Sequence, residues 1–319
     1  MTDTKPIFNR VGLIGLGLIG SSLAWAMKRG GLAGHIAGHA RSGKTRDRAM
    51  ELGFLDSVHE TGADCANDCD LVILCTPLGV YRKIGEEIAP VLKAGAIVSD
   101  AGSTKVAVIE ALTPVLPDTV HLVPGHPVAG TENSGPDAGF ENLFDDRYAI
   151  LTPGENVPGE IVDLMRTFWE ACGSMVEIME AEHHDRVLAI TSHLPHLIAY
   201  TIVGTASDLE NQLTRENVDE TDMVRTSDVI RFSASGFRDF TRIAASDPIM
   251  WRDIFLNNRE AVLEMLGRFS EDLVALQRAI RWSDGEKLED WFTRTREIRR
   301  GIVEQKQAGT FIAVEPDDD

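Results

Sequence analysis

The chain has 319 residues, 43% of them hydrophobic and 25% charged, ordinary values for a globular protein with room for two cores. A formal charge of −19 argues against nucleic-acid binding, which needs a basic surface, and any anionic ligand would require local positive charge. No uninterrupted run of about 18 apolar residues and no signal sequence is apparent, so a soluble, cytoplasmic protein without membrane contact is expected.

Residues 10–150 alternate short apolar runs with helical patterns, as a parallel sheet with crossover helices does. Val11–Ile14 is the first strand, a helix runs from Ser21 to Arg29, and Ile36–Ala40 is the second strand. Leu71–Cys75 is a buried strand stopping at Thr76-Pro77, and Ala96–Ser99 is the next, ending in Asp100-Ala101-Gly102-Ser103. His121–Val123 runs into Pro124-Gly125-His126-Pro127, and Ala149–Thr152 is a late strand. After Ala181 apolar residues recur only at helical spacing, up to about Gln305. Val187, Leu188, Ile190, Leu194, Leu197 and Ile198 share one face, and a second pattern covers Ile254–Ile280 before Asp284-Gly285 breaks it and a last helix follows. The expected layout is an α/β domain over 1–180, an all-helical domain over 181–305 and a disordered acidic tail over 306–319.

The turn Gly15-Leu16-Gly17-Leu18-Ile19-Gly20 follows an apolar strand and opens a helix, the setting in which GxGxxG binds a dinucleotide. The first glycine permits the tight turn, the second admits the pyrophosphate, and the third lets the helix pack closely. The helix start at Leu18 and Ile19 supplies amide donors and a positive dipole end. Thr76, Pro77 and Ser103, at the ends of neighbouring strands, complete the expected cofactor contacts. NAD sites place an acidic residue about 20 positions after the turn. Here the second strand ends His39-Ala40-Arg41-Ser42, with Lys44 and Arg46 beyond, and Arg41 with Ser42 suits a 2′-phosphate unless the loop is simply a solvated basic one. The cofactor is therefore expected to be NAD or NADP, with a lean to NADP or dual use.

Ser103 and His126 both follow strand ends, where open α/β sheets bind ligands. Ser103 also suits a helix N-cap. A histidine with a near-neutral pKa suits general-base work on a hydroxyl, and Gly125 and Pro127 hold His126 on fixed backbone. In Thr191-Ser192-His193-Leu194-Pro195-His196, His193 and His196 share a helix face, and Pro195 breaks the helical rule beside them. A kinked core helix is the alternative. No metal is expected, since no further ligand completes a set near these histidines, and Cys65, Cys69, Cys75 and Cys172 include no CxxC pair. Arg238 and Arg242 are four apart, and the planar fork of arginine matches a carboxylate. Asp247-Pro248 has the form of an N-cap with proline at the first helical position.

At these segments the chain resembles the prephenate/arogenate dehydrogenases. The resemblance rests on Gly15-x-Gly17-x-x-Gly20, Asp100-x-Gly102-Ser103, His126-Pro127-x-Ala129-Gly130-Thr131-Glu132-x-Ser134-Gly135, Ser192-His193-Leu194-Pro195-His196 and Gly236-Phe237-x-Asp239-x-Thr241-Arg242. It implies a Rossmann-type α/β domain followed by an all-α domain, in the arrangement of 6-phosphogluconate dehydrogenase, and a homodimer formed through the helical half. It implies oxidative decarboxylation of prephenate or arogenate with hydride transfer to NAD(P), in tyrosine biosynthesis. In that family's terms His126 is the catalytic histidine, Ser103 the serine beside hydroxyl and nicotinamide, and Arg242 the carboxylate-binding arginine of a small anionic substrate. His196 contacts substrate from the helical side, and His193, Thr131, Glu132, Asp239, Ser246 and Trp251 line the pocket or its mouth. Two other readings remain open at this point: a 3-hydroxyacid-type dehydrogenase, and a dinucleotide sensor without activity. The first uses a lysine near the start of its helical domain, and Ala181–His196 has none.

Overall fold

Val11–Ile14 and Leu71–Leu74 are apolar throughout, so neither can alternate between core and water, and both form strands buried on both faces. In the computed structural model, which describes residues 5–131, 133–216 and 234–304, they are β1 (Val11–Ile14) and β4 (Leu71–Leu74). The side chains of 210–216 and 302–304 are outside this description, as are Glu132 and the tail 306–319. The other strands of the main sheet are β2 (Ile36–His39), β3 (Ser57–His59), β5 (Ile97–Asp100) and β6 (His121–Leu122). All six are parallel in the order β3-β2-β1-β4-β5-β6, so the order of connection across the sheet reverses between β1 and β4 and leaves a crevice at their carboxyl ends. Ile14 pairs with His39 and Leu74, and Leu74 with Asp100, which lines up four strand ends on one edge.

Helices α1 (Leu18–Gly30), α2 (Gly43–Leu52), α3 (Gly62–Ala66), α4 (Tyr81–Ile88) and α5 (Val106–Leu112) connect these strands. A second sheet of β7 (Gly125–Pro127), β8 (Tyr148–Leu151) and β9 (Met175–Ile178) follows, with α6 (Gly159–Ala171) between β8 and β9. The β7–β8 pair is antiparallel, which sets His126 opposite Ile150. Two apolar layers cover the main sheet. Phe144, Phe168 and Trp169 belong to one, and Tyr81, Ile88 and Leu112 to the other.

Past β9 the described chain is helical: α7 (Ala181–Leu188), α8 (Leu194–Glu216), α9 (Ser235–Thr241), α10 (Pro248–Asn257), α11 (Arg259–Arg281) and α12 (Gly285–Glu304). Trp251 and Ile254 of α10 join the second apolar layer, so α10 packs on the α/β sheet, and the described residues up to Val262 form one compact unit. The described residues from Leu263 to Glu304 form a second compact unit, which holds the rest of α11 and α12. In that unit Leu263, Leu273, Ile280, Trp282, Phe292 and Ile298 are exposed.

Several sequence expectations shift. β3 and β9 are not visible in the apolar pattern because each is a short sheet-edge strand, half-buried or exposed, and held by backbone pairing. The first helix begins at Leu18 rather than Ser21, since Gly17 itself is its N-cap. Ile190 is exposed instead of joining the Leu188 and Leu194 face, because Ala189–His193 is a π-helical turn that rotates the stripe. That wider turn also admits Pro195 directly after it without ending the helix. Where one pattern over Ile254–Ile280 was expected, the helix stops at Asn257 and restarts at Arg259. Ala181–Leu209 reaches a mean hydropathy of 1.4 and is, by length and composition, apolar enough to cross a membrane. Its His184, Asp185 and His193 are buried and hydrogen-bonded within the fold, while Ile202, Val203 and Leu209 further along it are exposed.

Candidate active site

The glycine turn leaves β1 at the crevice, with Gly15 N–H donating to the His39 carbonyl at 2.8 Å and Cys75 N–H to the Ile14 carbonyl at 2.7 Å. Gly15 has φ +106° and any side chain on it would meet the Cys75 carbonyl, while a Cβ on Gly20 would run into the Gly15 carbonyl. At Gly17 nothing lies within 4 Å of where a Cβ would stand, so a ligand can approach the backbone. No side chain caps α1 and no acidic residue occupies its first turn, which leaves the amides of Leu18, Ile19 and Gly20 and a positive dipole end open. The Thr76 hydroxyl beside Gly15 is buried without a partner, and Pro77 next to it is exposed. These features fit a dinucleotide pyrophosphate. Arg41 and Ser42 are exposed at the end of β2, and Ser42 is the N-cap of α2 without using its hydroxyl. Arg46 is folded back onto the carbonyls of Ala40 (2.8 Å) and Arg41 (3.3 Å), where it braces the turn.

Beyond β5 the chain is fixed by a fully buried ion pair. Lys105 Nζ lies 2.6 and 2.8 Å from the Asp100 carboxylate and donates to the Gly125 carbonyl at 2.6 Å. Asp100 also accepts from Gly102 N–H at 2.7 Å and Gly125 N–H at 3.1 Å. Burial pushes the Asp100 carboxyl up and the Lys105 ammonium down, each against the attraction of the other. Both backbone groups of Gly125 are therefore held, which fixes its neighbour His126 against the turn that carries Ser103.

His126 is buried, and its Nδ1 lies 2.8 Å from His184 Nε2, whose Nδ1 lies 2.8 Å from Asp185 Oδ1. Burial holds His126 well below the ordinary histidine value, and the closeness of His184 and the Lys105 charge add to it. The Asp185 carboxylate accepts from Lys105 N–H (2.7 Å) and Val106 N–H (3.0 Å), and so caps α5 from the helical half. Ser103 is not that cap. It lies three residues ahead of α5, half-buried, with its backbone close to His193.

Asn258 Nδ2 donates to the Asp185 carbonyl at 2.8 Å and to His193 Nδ1 at 3.0 Å. Burial pushes His193 down to about 4, against the Asp185 charge. Trp251 stacks on His196 with ring centroids 3.7 Å apart and meets His193 edge-on at 6.1 Å. His196 Nδ1 bonds the Ser192 carbonyl at 2.9 Å, and the Arg242 charge reaches His196 and, after burial, helps keep it neutral. Arg242 itself is exposed at the head of a 3₁₀ turn after α9.

The structure thus joins Ser103, His126, His193, His196, Trp251 and Arg242 through one network. Trp251 is a buried platform for the two imidazoles. Ser246 Oγ bonds the Ile243 carbonyl, and its own carbonyl takes the Tyr200 hydroxyl. Thr131 is exposed and accepts from Asn133 N–H, and Asp239 is exposed on α9. Lys105, His184, Asp185 and Asn258 were missed from sequence. A signal for two of them existed: Ala181, His184, Asp185 and Leu188 follow helical spacing, which places the polar pair on the buried face.

Known proteins match this arrangement along the chain. The description "prephenate dehydrogenase, nucleotide-binding domain" matches residues 23–178, and "prephenate dehydrogenase, dimerization domain" matches 180–294. The chain belongs to the prephenate dehydrogenase family. It is 41% identical over 296 residues to the cyclohexadienyl dehydrogenase of Zymomonas mobilis, covering 93% of this chain and 97% of that one. A crystal structure of A. aeolicus prephenate dehydrogenase, in complex with hydroxyphenyl propionate and NAD+, superposes with TM-score 0.81 at 33% identity. It covers 95% of this chain and 100% of that one. Synechocystis arogenate dehydrogenase gives TM-score 0.74 at 27% identity, covering 92% and 99%. This family member is an oxidoreductase with a nicotinamide dinucleotide cofactor, acting in the oxidative decarboxylation of prephenate and/or arogenate in tyrosine biosynthesis.

Proposed function

We propose that His126 is the general base of this reaction and that Ser103 sits beside the substrate hydroxyl. The observation that carries the reading is the buried His126, its backbone held through Gly125 to the Asp100–Lys105 pair at the end of β5, the carboxyl edge from which the glycine turn also leaves β1. When bound, the nicotinamide accepts hydride from the ring carbon that bears the hydroxyl. His126 takes the hydroxyl proton as that carbon becomes a carbonyl. Loss of carbon dioxide then aromatises the ring, and His126 returns the proton to the phenolate oxygen. Protonation, hydride count and charge balance without another reactant.

Arg242 takes a substrate carboxylate, with His196 beside it and His193 behind. Thr131, Asp239 and Ser246, with Glu132, which lies outside the described residues, are assigned to the pocket or its mouth. Residues 1–180 bind the dinucleotide through Gly15, Gly17, Leu18, Ile19, Gly20, Thr76 and Pro77, and 181–305 serve substrate binding and dimerisation. Exposed apolar residues on α8, Ile202, Val203 and Leu209, and those of the second unit suit a homodimer interface. The four cysteines, none of them in a disulfide, suit the cytoplasm.

Arg242→Gln is expected to raise KM for the substrate by about 30-fold, roughly 2 kcal/mol of lost charge-assisted binding, with kcat little changed. Steady-state kinetics over a range of substrate concentration checks it; an unmoved KM removes Arg242 from carboxylate binding.

We also assign Arg41 and Ser42 to the cofactor 2′-phosphate, which gives NADP or dual use. The test of the whole reading is a kinetic matrix of prephenate and arogenate against NAD and NADP, followed by reduced-nicotinamide absorbance. No turnover with either acid would refute the function. Arg41→Ala is expected to weaken NADP about tenfold more than NAD; a strong NAD preference in the parent that survives this change would refute the NADP assignment.

A further inference from the structure

The hydrogen-bond chain behind His126 has a direction set by its far end. The Asp185 carboxylate acts as an acceptor: it takes Lys105 N–H and His184 Nδ1 on Oδ1, and Val106 N–H on Oδ2. His184 therefore donates from Nδ1. Its ring is fully buried and burial holds it below the ordinary histidine value, so it is neutral and its Nε2 carries a lone pair. That lone pair faces His126 Nδ1 at 2.8 Å, across rings inclined at 71°. Only an Nδ1–H on His126 satisfies the contact, which leaves its Nε2 bare.

We propose that His184 and Asp185 are positioning residues that lock His126 in the Nδ1–H tautomer, so that Nε2 is the atom that accepts the substrate hydroxyl proton. The proposal rests on the reading of His126 as base. A neutral histidine in water favours the opposite, Nε2–H form, which would offer the hydroxyl a donor and block the proton transfer. Asp185 does two further things with the same groups. Its carboxylate starts α5 just after the Ser103 turn, and its backbone carbonyl holds Asn258, which faces His193. One residue thus ties the tautomer of the base to the placement of Ser103 and to the histidine helix.

Nitrogen-15 NMR of histidine-labelled full-length protein, with the His126 signals identified by their loss in His126→Asn, reads the tautomer directly and without cofactor. The expected result is a protonated Nδ1 and an unprotonated Nε2 at neutral pH. An Nε2–H form in the wild-type chain overturns the proposal whatever the variants do. His184→Phe removes the acceptor and leaves the Asp185 cap in place, and is expected to lower kcat about 100-fold with KM within a few-fold. His184→Gln can donate to Asp185 and accept from His126, and is expected to stay within about tenfold of wild type. Equal losses in the two variants would point to packing alone and overturn the proposal. Unchanged turnover in His126→Asn would instead sink the base assignment, while the tautomer spectrum still stands on its own.

Discussion

His126→Asn is expected to lower kcat by roughly 100- to 10,000-fold while KM for the substrate moves only a few-fold. The substitution removes the proton acceptor and little else: asparagine can still donate towards His184 from the position of the imidazole Nδ1, so the backbone clamp at Gly125 and the Asp185 cap are left intact. The loss falls on kcat because the proton moves only as the hydroxyl carbon is oxidised. A pH profile gives an independent check. His126 is held well below 6.5 by burial, and the base works when neutral. Wild-type kcat/KM should therefore hold as pH drops through 6.5 and fall only at lower pH, as His126 takes a proton. In the variant that acid limb should vanish. The same burial affects stability: unfolded histidines protonate near 6.5, but His193 only at about 4 in the fold, so the unfolded chain binds more protons and stability declines across that window. Denaturation midpoints at each pH separate the two effects. Wild-type turnover in His126→Asn, with the limb unmoved, would remove His126 from the chemistry.

What could be read in the sequence followed the strength of the physical signal. β1 and β4 are legible because a strand buried on both faces must be apolar throughout, and the glycine turn because its steric demands leave little choice at Gly15 and Gly20. β3 and β9 carry no such demand at the sheet edges. Ser103, His126, His193 and His196 stand out as polar residues in unusual local settings, but their partners do not. Lys105 resembles any surface lysine until Asp100 and Gly125 are brought to it from 5 and 20 residues away. Asp185 resembles a solvated helix residue until α5 places two amides on it from about 80 residues earlier. Asn258 is a plain helix-end residue until it meets His193, 65 positions back. Each chemistry-bearing residue stands out in its own local stretch of sequence, and the groups that orient it do not.

Lys105→Met should produce the largest loss of stability of any change at this site, about 3–5 kcal/mol. The ammonium and the carboxylate are both fully buried, so removing the cation leaves the Asp100 charge without its counter-ion in a place water does not reach. The Gly102 and Gly125 amides still donate to Asp100 but cannot neutralise it. The deficit should depend on pH with a definite sign. Burial already pushes the Asp100 carboxyl up, and without Lys105 it rises further, so the folded variant binds a proton that the unfolded chain releases at its ordinary value. Stability of the variant should thus recover as pH falls and drop as pH rises through the folded value. A second change, Asp100→Asn in the Lys105→Met background, removes the stranded charge and keeps an acceptor for one of the two glycine amides, and should restore part of the loss at neutral pH. Activity should suffer beyond stability, because Lys105 also holds the Gly125 carbonyl and with it the backbone of His126. Urea denaturation of the single and double variants at two pH values decides the matter. A single-variant loss below about 1 kcal/mol, in the range of a surface ion pair, would mean that Asp100 is neutral in the native protein and that the clamp on His126 is made by hydrogen bonds alone.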